Sequence, residues 1–368
     1  MSDSSSSMLL VGVGGAGCAM ARGVMRAFGD SLKHVLADTN AKTGEADGKF
    51  VLIGGDRLSG RGSGGDVVAA RLAAEDSVQA IDDSLEGVRL AVIVTALGGG
   101  TGGGATLETV KHLSDRGIPS CVFATTPFAF EGETRQRNAR GILPLIEEAA
   151  SASFFIPLDK LVGDSDDDMA SAMRRAVDTL ASGVTLFWRL VEKPGYIKLD
   201  AERVRHLVAG AGRGRFAYVS AQGEDRAKEI VDAIRRSALL GTGSGQVASI
   251  LCGVLAGDDL RLSEIGTISE GLRGTFGEKA SFELATVNDD DTFSGRISVV
   301  VMLFESPRHD DADDPKTSEP AKRRRRQRAI LSTGPTGRGR FNNSEPTIWN
   351  GEDLDVPTFL RKNISLEF

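Results

Sequence analysis

Gly98-Gly99-Gly100-Thr101-Gly102-Gly103-Gly104 stands directly behind the apolar run Leu90–Ala96, and this stretch decides the fold. Six of its seven residues are glycine, so successive backbone N–H groups can approach a phosphate closely. A helix is expected to open behind it, and a helix N-terminus adds a partial positive charge. Thr101 contributes a hydroxyl. No Lys follows in the order glycine, lysine, serine or threonine, so this is not a Walker loop. A short apolar run closing on glycines before a helix is the unit from which parallel α/β sheets are built.

A second such unit lies upstream. Met8 to Val13 is apolar and runs into Gly12-Val13-Gly14-Gly15-Ala16-Gly17, with a helix expected over Ala16 to Phe28. The glycines fit the dinucleotide pattern GxGxxG, and Asp38 lies about where a ribose-binding acid would stand. On this loop alone, a nicotinamide or flavin enzyme is the alternative class. Further strand-like runs are His34 to Ala37, Ser120 to Thr125 and Ser153 to Pro157. Strands alternating with helices imply a parallel sheet, with ligands at the strands' carboxyl ends.

Met169 to Lys193 reads as one long helix. Met169, Met173, Val177, Leu180, Val184, Trp188 and Val191 recur at helical spacing. Asp166, Asp167 and Asp168 suit its positive end, and Pro194-Gly195 stops it. Beyond it, Phe216–Ser220, Gln246–Leu255, Ala280–Val287 and Arg296–Leu303 are strand candidates, and Arg226–Leu240 and Leu262–Phe276 helix candidates. The expected layout is a nucleotide-binding domain over 8–168, a central helix over 169–195 and a second α/β domain over 196–305. Residues 306–352, rich in charge, Gly, Pro and Ser, read as a flexible linker, and 353–368 as a docking tail.

Hydrophobic residues make up 40% of the 368, enough for a sizeable core, and aromatics only 5%, so that core is expected to be mostly aliphatic. The net charge of −7 argues against a general nucleic-acid binder. Cys18, Cys121 and Cys252 are far apart and form no CxxC pair, so neither a zinc site nor a disulfide framework is suggested, which fits a reducing cytosol. The polar start MSDSSSSM gives no secretion signal, and no apolar run reaches the roughly 20 residues of a membrane span.

Taken together, the motifs resemble the tubulin/FtsZ family, and the resemblance runs in register over most of the chain. The Gly98–Gly104 stretch is similar to the family's signature loop. Arg61-Gly62-Ser63-Gly64-Gly65 resembles a further nucleotide loop, Thr126-Pro127-Phe128-Ala129-Phe130-Glu131-Gly132 the segment bringing an acid to the ribose, and Ile156-Pro157-Leu158-Asp159-Lys160 the next loop. Lys193-Pro194-Gly195 and Ile197-Lys198-Leu199-Asp200 resemble the loop that enters a neighbouring subunit's site. Gly223-Glu224-Asp225-Arg226-Ala227 and the run from Leu239 to Gly245 match the second domain's pattern. Leu354, Asp355, Pro357, Phe359 and Leu360 fall in the part that resembles the adaptor-binding tail.

The resemblance implies a tubulin-like α/β fold and a cytoplasmic, self-assembling GTPase that forms head-to-tail division filaments at mid-cell, on the inner face of the membrane. GTP or GDP would be bound with Mg2+. Carried over by residue, Gly14, Gly15, Ala16 and Gly17 would line the diphosphate. Gly98, Gly99, Gly100, Thr101, Gly102 and Gly103 would hold the β- and γ-phosphates. Glu131 and Arg135 would contact ribose and phosphate, and Asp178 would read guanine. Membrane-tethering adaptors would bind the tail. The basic run Lys322–Arg328 is free to contact anionic lipid, each cation contributing about 1 kcal/mol.

Departures from the family centre on the loop expected to cap a neighbour's nucleotide. Lys198 stands for an Asn, Asp200 keeps the first acid, and Arg203 stands for the second. Glu202 is adjacent, yet one helical step turns a side chain by roughly 100°. The expectation is a slow GTPase or, alternatively, a non-hydrolysing scaffold. Smaller departures are Cys18-Ala19 after the first glycine loop, the order Asp38-Thr39-Asn40, and Gly103 and Leu158 for a Thr and an Asn.

Overall fold

The apolar runs become strands, and the inner parallel ones are buried on both faces because helices cover the sheet. In the computed structural model they are β1 (Met8–Val13), β2 (His34–Asp38), β3 (Phe50–Leu52), β4 (Leu90–Ala96), β5 (Ser120–Thr126), β6 (Ala152–Pro157), β7 (Gly212–Gln222), β8 (Val247–Ala256), β9 (Ser281–Asn288) and β10 (Arg296–Glu305). The helices are α1 (Gly14–Met25), α2 (Gly55–Leu58), α3 (Val67–Ser77), α4 (Gly100–Asp115), α5 (Glu133–Ala149), α6 (Leu158–Val162), α7 (Met169–Glu192), α8 (Ala201–Val208), α9 (Arg226–Arg236), α10 (Leu262–Phe276) and α11 (Asp290–Phe293). The structure describes residues 7–44, 49–162, 168–193, 195–208, 211–241, 247–305, 348–349 and 352–353. Linker residues 306–347 and 350–351, including the basic run at 322–328, and tail residues 354–368 lie outside them. Two compact units result, Met1–Arg308 and His309–Phe368. In the second, the described residues are a short antiparallel pair, Ile348–Trp349 with Glu352–Asp353.

One ten-stranded sheet runs through the first unit in the order β3-β2-β1-β4-β5-β6-β7-β10-β8-β9. Strands β1 to β6 are parallel, and β6 continues the sheet by pairing parallel with β7 over Ala152–Phe154 and Gly212–Gly214. Strand β10 then lies antiparallel between β7 and β8. The two regions expected from sequence are thus joined edge to edge in one sheet. The scarce aromatics gather at this join, with Phe123 stacked on Phe154 at 4.9 Å and edge-on to Phe216 at 4.9 Å. Phe187 and Trp188 of α7 complete the cluster, both fully buried. The 24-residue α7 therefore packs along the sheet as expected of a spine, its first turn capped by Asp168 accepting from Ser171 N at 3.0 Å.

The second half carries a buried ionic network. Arg226, 4% exposed, donates from Nε and Nη2 to both oxygens of Glu264 at 2.7 and 3.0 Å, and from Nη1 to Asp259 at 2.6 Å. Glu264 also accepts from Arg261 N at 2.9 Å, tying α9 to the start of α10. Arg226→Leu strands the Glu264 carboxylate and is expected to cost about 3–5 kcal/mol in urea unfolding. The Arg226 guanidinium holds the Glu264 carboxyl below its ordinary value. Its stabilisation is therefore present above the unfolded glutamate pKa and is lost as pH falls through the lower, folded one. The gap between parent and variant should narrow below about pH 4. A gap that stays constant into acid would remove this network as its cause.

Candidate functional site

A pocket of about 680 Å³ opens at the carboxyl ends of β1, β4 and β5. Gly14, Gly15, Ala16 and Gly17 enter it from α1, Asp38, Thr39 and Asn40 from the end of β2, and Gly62–Gly65 from the loop before α3. Gly98, Gly99, Gly100, Thr101 and Gly102 line it from the segment that opens α4, and Glu131, Arg135 and Asn138 from the start of α5 and the turn before it. The loops brace one another. The Thr95 hydroxyl lies 3.1 Å from Val13 O and 3.0 Å from Gly102 O, and the Thr39 and Thr101 hydroxyls meet at 2.7 Å. The Asn138 amide donates to Gly98 O at 3.1 Å and Gly65 O at 3.0 Å, clasping two glycine segments. Local sequence pattern does not mark Thr95, Thr39 or Asn138 as site residues, because Val13, Thr101, Gly65 and Gly98, which they hold, lie 40 or more residues away.

The structure revises the glycine loop. Gly99 is the N-cap of α4, so Gly100–Gly104 are its first turns, and α1 likewise begins at Gly14 rather than Ala16. Two helix N-termini, with N–H groups that have no intrahelical partner, therefore face one pocket. The need for glycine is also different at different positions. A Cβ at Gly100 would stand 2.3 Å from Ser63 Oγ and 2.4 Å from Asp66 O, and one at Gly102 would stand 2.0 Å from Ala96 O. These residues are small so that α4 can sit against its neighbours. Gly103 faces Ile142 at 3.3 Å and does not line the pocket. Of the pocket glycines in the α1 and α4 segments, Gly15 and Gly99 open onto free space, Gly15 having Asp38 Oδ2 as its single neighbour at 3.7 Å.

Charged groups are few. Glu131 is ion-paired with Arg135 and accepts from Phe128 N at 2.8 Å. Asp38, 4% exposed, accepts from Thr39 N at 2.8 Å and from the Thr43 hydroxyl at 2.6 Å. Burial pushes the Cys121 and Cys252 thiols up to about 12, so neither is a nucleophile near neutral pH.

Other expected residues lie elsewhere. Asp178 is not brought to the glycine pocket. It lines a separate cleft of about 490 Å³ with Arg26, Arg189 and Tyr218, its carboxylate 3.7 Å from Arg26 Nη2. Met173, one and a half turns earlier on α7, lines the glycine pocket instead. Lys198, Asp200 and Arg203 are exposed together on the loop and helix after α7, and none lines this chain's own pocket. Asp200 caps α8, its Oδ1 accepting from Arg203 N at 2.8 Å. The Arg203 guanidinium donates from Nε to Glu283 of β9 at 3.3 Å and from Nη2 to the other oxygen of the same carboxylate. Glu202 is engaged by Arg205 and lies 3.4 Å from His206, and the Arg205 hydrogen bond holds its carboxyl below the usual range. Glu283 is a member of this cluster that sequence reading missed.

A mostly parallel α/β sheet with a backbone-built pocket at its strand ends defines a phosphate-receiving class of fold. Residues 7–166 match the Tubulin/FtsZ family, GTPase domain. The Cell division protein FtsZ of Pseudomonas putida is 26% identical over 384 residues, covering 96% of both chains. The structure of an empty FtsZ dimer of M. jannaschii is 25% identical, with TM-score 0.75, over 81% of this chain and 87% of that one. A GTPγS-bound protofilament of CetZ2 from Haloferax volcanii shares the fold at TM-score 0.70 and 22% identity, over 88% and 98%. The chain thus resembles the tubulin/FtsZ family over most of its length, with residues 7–166 matching the family's GTPase domain.

Proposed function

We propose that the protein binds GTP and GDP in the glycine pocket and assembles head to tail with copies of itself into filaments used in cell division. The observation that carries this reading is the convergence of two helix N-termini and three glycine segments on one pocket. Gly14, Gly15, Ala16 and Gly17 take the diphosphate, Gly98 to Gly102 the terminal phosphates, and Glu131 and Arg135 the ribose end. Asp200 of one copy would reach the pocket of the next and orient the attacking water. The full-length likeness to a cell division FtsZ supports the cellular role, and the FtsZ dimer supports self-association. Among the described residues no helix is long and apolar enough to cross a membrane. Membrane attachment in the cytoplasm would then fall to adaptors on the tail around Leu354–Leu360, helped by lipid contact of Lys322–Arg328.

A second reading, a nucleotide-dependent scaffold that does not hydrolyse, draws on the Arg203–Glu283 pair, which puts a cation where the family carries an acid. The match of residues 7–166 to a GTPase domain weighs against the nicotinamide alternative. One experiment separates the readings. Purified protein should release guanine nucleotide on acid extraction, scatter light on addition of GTP, and release phosphate slowly. Scattering without phosphate identifies the scaffold. Bound NAD, or no nucleotide and no scattering, overturns both.

A further inference from the structure

The segment between α7 and α8 carries Asp200, and it is tied to strand β9 at one residue. Strand β9 stands at the end of the sheet order, so its outer edge offers backbone groups to whatever lies beside it. There the Thr286 N–H donates to Ile197 O at 2.8 Å, and the Ile197 N–H donates to the Thr286 hydroxyl at 3.0 Å. Both polar backbone groups of Ile197 are thus taken by Thr286, a residue only 1% exposed. Gly195 lets the segment come this close, because a Cβ there would collide with Thr286 O. Beyond the tie, Leu199 is buried in the core while Lys198 and Asp200 are exposed on either side of it. Asp200 is therefore presented by a segment whose backbone has little freedom. Thr286 itself does not line the glycine pocket.

We propose that Thr286 is a positioning residue: its hydroxyl fixes the segment 195–200 so that Asp200 stands where it can orient water in the pocket of the neighbouring copy. The inference rests on the role given to Asp200 above and extends it to a strand of the second half. The bond to the hydroxyl is the part that a side chain controls, since the backbone N–H at position 286 would donate to Ile197 O from any residue but proline. Without the hydroxyl the Ile197 N–H loses the partner it has, and the segment is freer to shift. A displacement near 1 Å at a catalytic group costs on the order of 100-fold in rate, so one hydrogen bond outside the pocket can govern turnover.

Thr286→Val keeps the shape of the side chain and removes the hydroxyl; Thr286→Ser keeps the hydroxyl and removes a buried methyl. Each test chain is mixed as a minor fraction into filaments of Asp200→Asn. The majority then carries assembly, and phosphate release reports the segments that the test chain supplies. Turnover per test chain should fall on the order of 10- to 100-fold for Thr286→Val and stay within about threefold of the parent for Thr286→Ser. Both substitutions lower the melting temperature, so a merely structural role would slow both in step with it. In the unassembled chain, amide exchange at Ile197 should quicken about 10-fold in Thr286→Val and keep the parent's rate in Thr286→Ser. Parent-like turnover in Thr286→Val overturns the proposal, as do equal losses in the two variants or unaltered exchange at Ile197 in Thr286→Val. If the parent chain releases no phosphate in the same mixture, the reading of Asp200 itself fails, which is a different result from a parent and a valine variant that are equally fast.

Discussion

Valine at position 15 is expected to abolish nucleotide binding while leaving the melting temperature close to that of the parent. Gly15 lies in the first turn of α1, and a Cβ there meets nothing but Asp38 Oδ2 at 3.7 Å. The fold therefore accepts a side chain, and valine is no worse a helix former than the glycine it replaces. The branched methyls occupy the space in which a phosphate would face the backbone. Losing two charge-assisted hydrogen bonds, at about 1.5–3 kcal/mol each, weakens binding on the order of 100-fold or more. Gly100→Val is expected to behave differently. Its Cβ collides with Ser63 and Asp66, so α4 must shift, costing about 1–3 kcal/mol of stability along with the ligand. Scanning fluorimetry and calorimetry on the two variants separate the effects. Normal affinity in Gly15→Val would mean that phosphate does not pass that residue. A parent-like melt for Gly100→Val would mean that the packing account of Gly100 is wrong.

The difference between these glycines marks what the sequence could convey. Runs such as Leu90–Ala96 and Leu262–Phe276 coincide with β4 and α10 because their own pattern, apolar throughout or periodic, determines them. By composition the glycine cluster reads as a loop, since glycine is a poor helix former; α4 starts inside it, where close neighbours leave no room for side chains. Strand β7 begins at Gly212, four residues before the expected Phe216. Its early residues include Arg215, whose charge argues for a loop until Glu305, 3.2 Å away on β10, answers it. Helix α9 ends at Arg236 rather than Leu240, with Ser237 extended, because Leu240 is buried in the core and cannot follow the helical path. Partners 80 residues apart, such as Arg203 and Glu283, leave no trace in local pattern.

That pair bears on the largest catalytic effect expected. Asp200→Asn should reduce GTP turnover by about 10²–10⁴, provided that Asp200 orients the water across the subunit interface. Asparagine still caps α8, so the loss would report the missing charge rather than a frayed helix. Arg203→Asp is expected to act in the opposite direction and raise turnover by supplying a second acid. On its own, however, it sets a new carboxylate beside Glu283, which then lacks its counter-charge. Combined with Glu283→Gln, it keeps the new acid and removes the repulsion, so the double variant should be the faster of the two. An arginine-finger role predicts the reverse, a loss of about 10³–10⁵ in both. The structure favours the acid account, because Arg203 is held by Glu283 within its own chain and a finger would first have to leave that partner. Phosphate release must be measured above the assembly threshold, with filament mass followed by light scattering in parallel. If Asp200→Asn assembles and turns over like the parent, the water is oriented by another group. If Arg203→Asp and the double variant both match the parent, residue 203 lies outside the reaction altogether.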